Sequence, residues 1–283
     1  MTRGKYDQEF GHGTTEADSS DHWYEITHLF YAVGLAFSYH TFVAGSNGGI
    51  GYWTASLLAQ SPEKYHIIVS GRSLKKVEDA VSSLSKSANT EGIFSAVELD
   101  ITSDTSISNA FDEIKSKHGR LDVLINNAAV FPQNIPSKRE LWQTTFTTNV
   151  FSTVAVTDMF IPLLLESNND PRLIFLSSSL GSITITETWE PKHSLDISAY
   201  RASKAALNMY MVQKSKELSK HGIKVWAVDP GVNATSLAGS AERATAMGAK
   251  HPSKGAQDVV DIVEGRRDDC VGKNVWAEGV RPW

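Results

Sequence analysis

The 283-residue chain has a single cysteine, Cys270. One cysteine excludes an internal disulfide and a zinc cluster built from thiolates, and it is typical of a reducing compartment. The nine histidines are scattered without the spacing of metal ligands, so we expect no metal site. An excess of positive charge is also missing, because the formal net charge is −5, and this argues against nucleic acid as a partner.

Long apolar runs are scarce as well. The most apolar stretch, residues 26–43, is interrupted by polar residues, and its last residues belong to a predicted strand. About twelve residues then remain, which is fewer than the ~20 that a membrane-spanning helix needs. The residues before this stretch are acidic, unlike the basic start of a secretory signal. We therefore expect a cytoplasmic protein without a membrane span.

Composition divides the chain into two parts. Residues 1–38 form an N-terminal extension, with a polar beginning that we expect to be disordered and a short amphipathic helix after it. Residues 39–283 alternate short apolar strands with longer helical stretches, without a repeat or a proline-rich linker. This pattern predicts one α/β domain, a Rossmann-type doubly wound parallel sheet of about seven strands with helices on both faces.

The limits of the elements follow from the apolar periodicity. The predicted strands are 40–44, 65–70, 93–99, 121–126, 172–177 and 223–228, with a seventh near Val275. The predicted helices are 49–60, 73–84, 105–118, 138–166 and 198–221.

A glycine-rich turn joins the first predicted strand to the first predicted helix. It reads Gly45-Ser46-Asn47-Gly48-Gly49-Ile50-Gly51. Glycines allow a tight turn and the close approach of a pyrophosphate, while the helix N-terminus offers free N–H groups to the phosphates. At the first strand of an alternating pattern this turn predicts a dinucleotide site, with an ordinary strand-to-helix turn as the alternative.

The end of the second predicted strand bears on the choice of dinucleotide. An acidic residue there would hold the adenosine ribose hydroxyls and repel a 2′-phosphate. This chain has Arg72 instead, with Lys75 and Lys76 close behind, and a guanidinium suits a phosphate. The basic residues in place of an acidic one favour NADP over NAD. Alternatively, they are solvent-exposed residues at the start of a helix without a role in binding.

Five ordered motifs resemble the short-chain dehydrogenase/reductase family, most closely its carbonyl-reductase-like branch, over residues 40–283. They are the glycine turn, Leu99-Asp100-Ile101, Asn126-Asn127-Ala128-Ala129, the ordered set Asn149, Ser178, Tyr200 and Lys204, and Asp229-Pro230-Gly231 with Thr235. The resemblance implies that NADP contacts Gly45, Ser46, Asn47, Gly49, Ile50, Gly51, Arg72, Lys76, Asp100, Ile101, Asn127, Ala128, Tyr200, Lys204, Val232 and Thr235. Two departures stand out: Gly48 occupies a position where NADP-using relatives often carry Lys or Arg, and Asp229 replaces a common Asn.

The resemblance also implies the catalytic roles. Tyr200 would exchange a proton with the carbonyl oxygen, and Lys204 would lower the pKa of its phenol and hold the nicotinamide ribose. Ser178 would orient the carbonyl, whereas its neighbour Ser177 fits a purely structural hydroxyl. Asn149 would hold a water that relays protons to Lys204.

Three functions remain open at this point. The first is an NADPH-dependent reductase of a hydrophobic ketone or aldehyde, such as a natural-product intermediate, with Val130 and Phe131 in the pocket wall. The second is an alcohol dehydrogenase that runs the same chemistry in reverse, and the third is a non-catalytic dinucleotide-binding regulator. The segment 236–250 is predicted to form a lid over the substrate. The sequence leaves open whether the chain is a monomer or a homo-oligomer.

Overall fold

In the computed structural model, which describes residues 39–88, 93–133, 135–188, 196–246 and 248–283, the described strands form one sheet. The strands are β1 (Tyr39–Ala44), β2 (Tyr65–Gly71), β3 (Phe94–Glu98), β4 (Val123–Asn126), β5 (Arg172–Leu176), β6 (Lys224–Val228), β7 (Asn274–Trp276) and β8 (Gly279–Arg281). The predicted extension, residues 1–38, lies outside the described residues, so its disorder and its helix stay predictions.

Helices connect these strands. They are α1 (Gly49–Leu58), α2 (Leu74–Ala88), α3 (Asp104–His118), α4 (Lys138–Phe146), α5 (Thr153–Leu165), α6 (Ile183–Glu187), α7 (Ser198–Leu218), α8 (Ala241–Ala246) and α9 (Pro252–Val263). A π-helical turn, Thr147–Ser152, links α4 to α5 without a break. A 3-10 turn, Ser179–Gly181, follows β5, and another, Ser236–Ala238, precedes α8.

The strand order reverses at β1. The order across the sheet is β3-β2-β1-β4-β5-β6-β7-β8, and β1 pairs in parallel with both β2 and β4. In an open α/β sheet the crevice at such a reversal, outside the carboxyl ends of the strands, is the usual ligand site. The carboxyl ends of β1, β4, β5 and β6 therefore set the position of the functional site.

Alternate side chains of each strand enter the two hydrophobic cores on opposite faces of the sheet. On one face Phe42 packs with residues of α3, α5 and α7. On the other face Val43 packs with residues of α1, α2 and α9. The predicted doubly wound architecture, with helices on both faces, is confirmed.

The structure departs from the predicted elements in a few places. β8 extends the predicted seven strands by an antiparallel hairpin with β7. The predicted helix 138–166 consists of α4, the π-helical turn and α5. Helix α9 was not predicted, although its apolar residues bury one face of the helix against α1 and the sheet.

One continuous helical stretch among the described residues, Lys138–Leu165, is long and apolar enough to cross a membrane. Its Phe160, Leu163 and Leu164 belong to the core that covers one face of the sheet. Packing against the sheet accounts for this apolar character, as in the core helix of an α/β domain.

Candidate active site

Glycine conformations shape the turn between β1 and α1. Gly45 has a φ of +77° and Gly49 a φ of +59°, a region that side chains with a Cβ rarely enter. A Cβ on Gly45 would lie 2.8 Å from the Cβ of Ala128, and one on Gly51 would lie 2.7 Å from the Nδ2 of Asn127. The predicted turn residues thus leave a bare backbone at the N-terminus of α1, which fits the phosphates of a dinucleotide.

Side chains around the turn hold it in place. The buried hydroxyl of Ser46 donates to the Val43 carbonyl at 2.7 Å and accepts from the Ser70 N–H at 2.9 Å. The Asn127 amide donates to the Gly45 carbonyl, which ties the end of β4 to the turn. The Ser46 hydroxyl is thus committed to the turn itself, and the Ser46 N–H also donates to the Ser70 carbonyl at 2.8 Å, so this residue holds the turn against β2.

Cationic side chains gather where β2 ends. Arg72 and Lys76 are exposed, while Lys75 forms an ion pair with Asp79 at 3.4 Å. Hydrogen bonds from Thr102 and the charge of Arg72 hold the pKa of Asp100 below its usual range. Arg72 therefore lies close enough to the end of β3 to act on Asp100, while the next residue, Ile101, is buried in the core.

Tyr200 and Lys204 lie one helical turn apart on α7. Tyr200 is 8% exposed and Lys204 is 3% exposed. The ammonium of Lys204 lies 5.7 Å from the centre of the Tyr200 ring and donates to the Leu176 carbonyl at 2.7 Å. Among the described residues the Tyr200 hydroxyl has no hydrogen-bond partner, which leaves it free for a ligand.

Burial sets the ionisation of both groups. It raises the pKa of Tyr200 above its ordinary value, and the nearby charge of Asp229 raises it further. It also lowers the pKa of Lys204 to about 8. The expectation that Lys204 acidifies the phenol stays a prediction for the cofactor-bound protein, since burial acts in the opposite direction in the protein alone. At neutral pH both groups keep their protons.

The serines after β5 have different surroundings. Ser177 is buried and its hydroxyl bonds to the side chain of Asn208 on α7, in agreement with a structural role. The Ser178 oxygen accepts from the Leu180 N–H at 3.2 Å and caps the 3-10 turn, so its proton stays available. This difference supports the choice of Ser178 over Ser177.

Gly181 explains how this turn reaches α7. A Cβ at this position would lie 2.7 Å from the backbone carbonyl carbon of Lys204 and 2.8 Å from its Cβ. The absent side chain lets the backbone after Ser178 pack directly on the helix that carries Lys204.

Asn149 is 1% exposed and lies in the π-helical turn. Its side-chain oxygen accepts from the Val130 N–H at 2.8 Å. Its amide donates to the Val130 carbonyl at 2.9 Å and to the Ser203 hydroxyl at 3.2 Å. Both amide protons are therefore used, so the side chain links the end of β4 to α7 beside Lys204 and has no proton left for a water.

The loop after β6 closes the site from the other side. The methyl carbon of Thr235 lies 3.4 Å from the position that a Cβ on Gly49 would take, so the loop meets the glycine turn. Val232 is 74% exposed, and its carbonyl accepts from the Lys250 N–H at 3.0 Å. The site is thus framed by the glycine turn, the Ser178 turn, α7 and this loop.

Three functional neighbours were not predicted in detail. Ser203 bridges Asn149 to the backbone of Tyr200, and Arg281 bonds to Asp229 at 2.8 Å. Phe131, predicted only as a wall residue, packs against Tyr200, with the ring centres 4.9 Å apart and the ring planes tilted by 55°. Ser203 falls within the Tyr-to-Lys spacing, but no spacing rule identifies Arg281, since it comes from a distant hairpin.

Comparison with known proteins decides the family. Residues 39–246 match the profile of the short chain dehydrogenase family. The chain belongs to the short-chain dehydrogenase/reductase family. It is 36% identical to the short-chain dehydrogenase/reductase tropE of Talaromyces stipitatus, with 85% of this chain and 96% of that protein aligned. It is also 36% identical to the short-chain dehydrogenase/reductase eupG of a Phoma species, with 86% and 97% aligned.

Solved structures agree with the fold. An NADPH-bound carbonyl reductase from chicken fatty liver superposes with a TM-score of 0.74 at 24% identity, over 88% of this chain and all of that one. The family match, and not this superposition, makes the chain an oxidoreductase of a family that uses a nicotinamide cofactor.

Proposed function

We propose that this short-chain dehydrogenase/reductase is an NADPH-dependent reductase that transfers hydride to the carbonyl of a hydrophobic ketone or aldehyde. Tyr200 serves as the general acid. The observation that carries the proposal is the Tyr200 hydroxyl, which is buried and without a partner among the described residues, one helical turn from the ammonium of Lys204.

The bare backbone at Gly45 and Gly49 fits a dinucleotide, and Lys204 would hold the nicotinamide ribose of that cofactor. When bound, the reduced nicotinamide supplies the hydride. Ser178 orients the carbonyl oxygen through its free proton, and Tyr200 donates its own proton to that oxygen. The Lys204 ammonium then stabilises the phenolate that remains, and Asn149 keeps α7 in register with the end of β4.

The same site geometry serves reduction and alcohol oxidation, because the phenol that gives a proton in one direction takes it back in the other. We place the alcohol dehydrogenase reading second, because the cations at the end of β2 favour NADP and cells generally keep the NADP pool reduced.

Two features support the finer choices of cofactor and substrate. Arg72 and Lys76 are exposed at the end of β2, where a 2′-phosphate would be read, and no acidic residue ends that strand. Phe131 packs against Tyr200 with tilted rings, and Ile183 in α6 is an exposed apolar residue five positions after Ser178. These apolar groups suit a hydrophobic carbonyl compound. The fungal origin of both relatives agrees with a natural-product substrate.

The test is turnover of a panel of cyclic and aromatic carbonyl compounds with NADPH and with NADH, for the natural chain and Tyr200→Phe. We expect NADPH-dependent reduction and a loss of about 10²- to 10⁴-fold in kcat for Tyr200→Phe, with NADPH affinity retained. Tyr210→Phe is the matched control, because Tyr210 lies on the same helix and bonds instead to Asp158 at 2.8 Å. Full activity of Tyr200→Phe would show that another group supplies the proton.

A further inference from the structure

A charged pair joins the C-terminal hairpin to the loop after β6. The Nε of Arg281 in β8 donates to the Oδ2 of Asp229 at 2.8 Å. The Oδ1 of the same carboxylate accepts from the Gly231 N–H at 3.1 Å. Asp229 is 2% exposed, so its charge is buried and needs a compensating partner.

The hairpin holds the guanidinium in a fixed orientation. Arg281 lies over the Trp276 ring, with its central carbon 3.4 Å from the ring centre, and its side chain is largely buried. β8 pairs with β7 in an antiparallel register that places Arg281 opposite Asn274. A stacked, hydrogen-bonded guanidinium is a more rigid counter-ion than a surface cation.

The same carboxylate also lies near the Tyr200 phenol. The Val228 carbonyl, directly before Asp229, accepts from the Ser177 N–H at 2.8 Å, so Asp229 follows β6 at the point where the Ser178 turn leaves β5, and its charge raises the pKa of Tyr200. Among the described residues, the charged groups around Tyr200 are Lys204 on its own helix and Asp229 after β6, and Arg281 is paired to Asp229. Asp229 also faces Asp258 on α9, whose pKa is raised to about 6 by burial and by neighbouring carboxylates. Without its pairing to Arg281, the Asp229 carboxylate would therefore raise the pKa of the Tyr200 phenol further.

We propose that Arg281 is a positioning residue for the active site, which neutralises the Asp229 carboxylate facing Tyr200 and fixes the start of the loop 229–235. The role rests on the proposed function of Tyr200 as the acid. Through this pair the C-terminal hairpin sets how readily the phenol gives up its proton.

The test titrates residue 200 directly. The full-length chain carries 3,5-difluorotyrosine in place of Tyr200, which brings the phenol into an accessible pH range, and ¹⁹F NMR follows its ionisation without substrate or cofactor. We expect Arg281→Met to raise the apparent pKa by about one pH unit and Asp229→Asn to lower it by a similar amount. The double variant should return close to the natural value, because the pair is then removed as a whole.

Two further variants keep the result decisive. Arg281→Lys keeps the charge and should shift the titration less than Arg281→Met, and it serves if Arg281→Met does not fold. Arg266→Met is the matched control, since Arg266 pairs with Asp261 and Glu264 on the surface. Identical titrations in all variants, or equal shifts in Arg281→Met and the double variant, would overturn the charge-compensating role.

Failure here and failure of the proposed function are separable. The titration reports the environment of residue 200 whether or not the chain reduces a carbonyl, whereas Tyr200→Phe turnover reports the role of its proton. A normal coupling of Arg281 to residue 200 in an inactive protein would leave this inference standing and reject the reductase.

Discussion

At the residue scale, burial decides the protonation of Tyr200 and Lys204. Both groups are shifted toward their neutral forms, and the pKa of Lys204, lowered to about 8, still leaves it charged at pH 7. The motif predicted that the two residues share a helix face, and the structure confirms this. The direction of the phenol shift could not be read from sequence, because it depends on how much water the folded chain removes and on Asp229 after β6.

We expect single residues to set the preference between NADP and NAD as well. Gly48 has an extended backbone with a φ of −174°, and a Cβ there would meet nothing within 4 Å. Gly48→Arg therefore fits without strain and places a second guanidinium at the glycine turn. We expect it to increase the preference for NADPH over NADH by about tenfold, and Arg72→Asp to decrease it by at least as much. Steady-state kcat/KM with each cofactor measures both.

Lys75→Asp provides the comparison for this pair of variants. Lys75 is three residues from Arg72 in the sequence, but its ammonium forms an ion pair with Asp79. Reversing the charge at position 75 should therefore change the cofactor preference much less than Arg72→Asp does. If Lys75→Asp and Arg72→Asp change the cofactor preference equally, the preference depends on the overall positive charge of this region, and a specific contact between Arg72 and the 2′-phosphate is rejected.

At the scale of elements, the parts that the sequence predicts best are those with local signals. Strands β1 to β7 and the glycine turn follow from apolar runs and glycine positions. The π-helical turn around Asn149 has no local signal, since it is set by the bonds from Asn149 to Val130 and Ser203. Helix α9 follows a segment rich in Ala and Gly. Strand β8, which forms a hairpin with β7, is only three residues long and therefore too short for a clear alternating pattern of apolar and polar residues.

The 3-10 turn after β5 gives a prediction for one element. Gly181→Ala places a methyl group 2.7 Å from the backbone of Lys204, so the turn must move away from α7. We expect a loss of about 1–3 kcal/mol in the free energy of unfolding, together with a loss of activity as Ser178 leaves its position. Chemical denaturation and turnover measure the two effects. Gly48→Ala adds the same methyl group in open space and should not lower the stability to this extent.

At the scale of the whole molecule, the two ends of the sheet differ in character. The carboxyl end carries the candidate active site, while three histidines from β1, β2 and the end of α3 meet at the amino end. Their ring centres lie 4.7 to 5.9 Å apart. Burial and neighbouring cations lower the pKa of His40, and they lower that of His118 to about 3. The fold therefore favours the neutral forms of His40 and His118.

This cluster predicts a loss of stability in acid. An unfolded histidine binds a proton below a pH of about 6.5, whereas His118 in the fold does so only near 3, so lowering the pH favours the unfolded chain. Between pH 7.5 and 5.5 we expect His118 to contribute a loss of about 1.4 kcal/mol in the free energy of unfolding.

Urea denaturation at the two pH values measures this effect. His118→Gln should lose less stability on acidification than the natural chain, because residue 118 can no longer take up a proton. His221→Gln, at an exposed position, is the matched control. The same acid loss in all three proteins would show that other groups control it.

The most direct measurement is a crystal structure of the chain with oxidised NADP and an unreacted carbonyl compound found in the turnover panel. We predict that the Tyr200 Oη and the Ser178 Oγ both lie within about 3.2 Å of the carbonyl oxygen, with that carbonyl carbon facing the nicotinamide ring. A complex in which the phenol points to solvent, away from the bound carbonyl, would contradict its role as the acid.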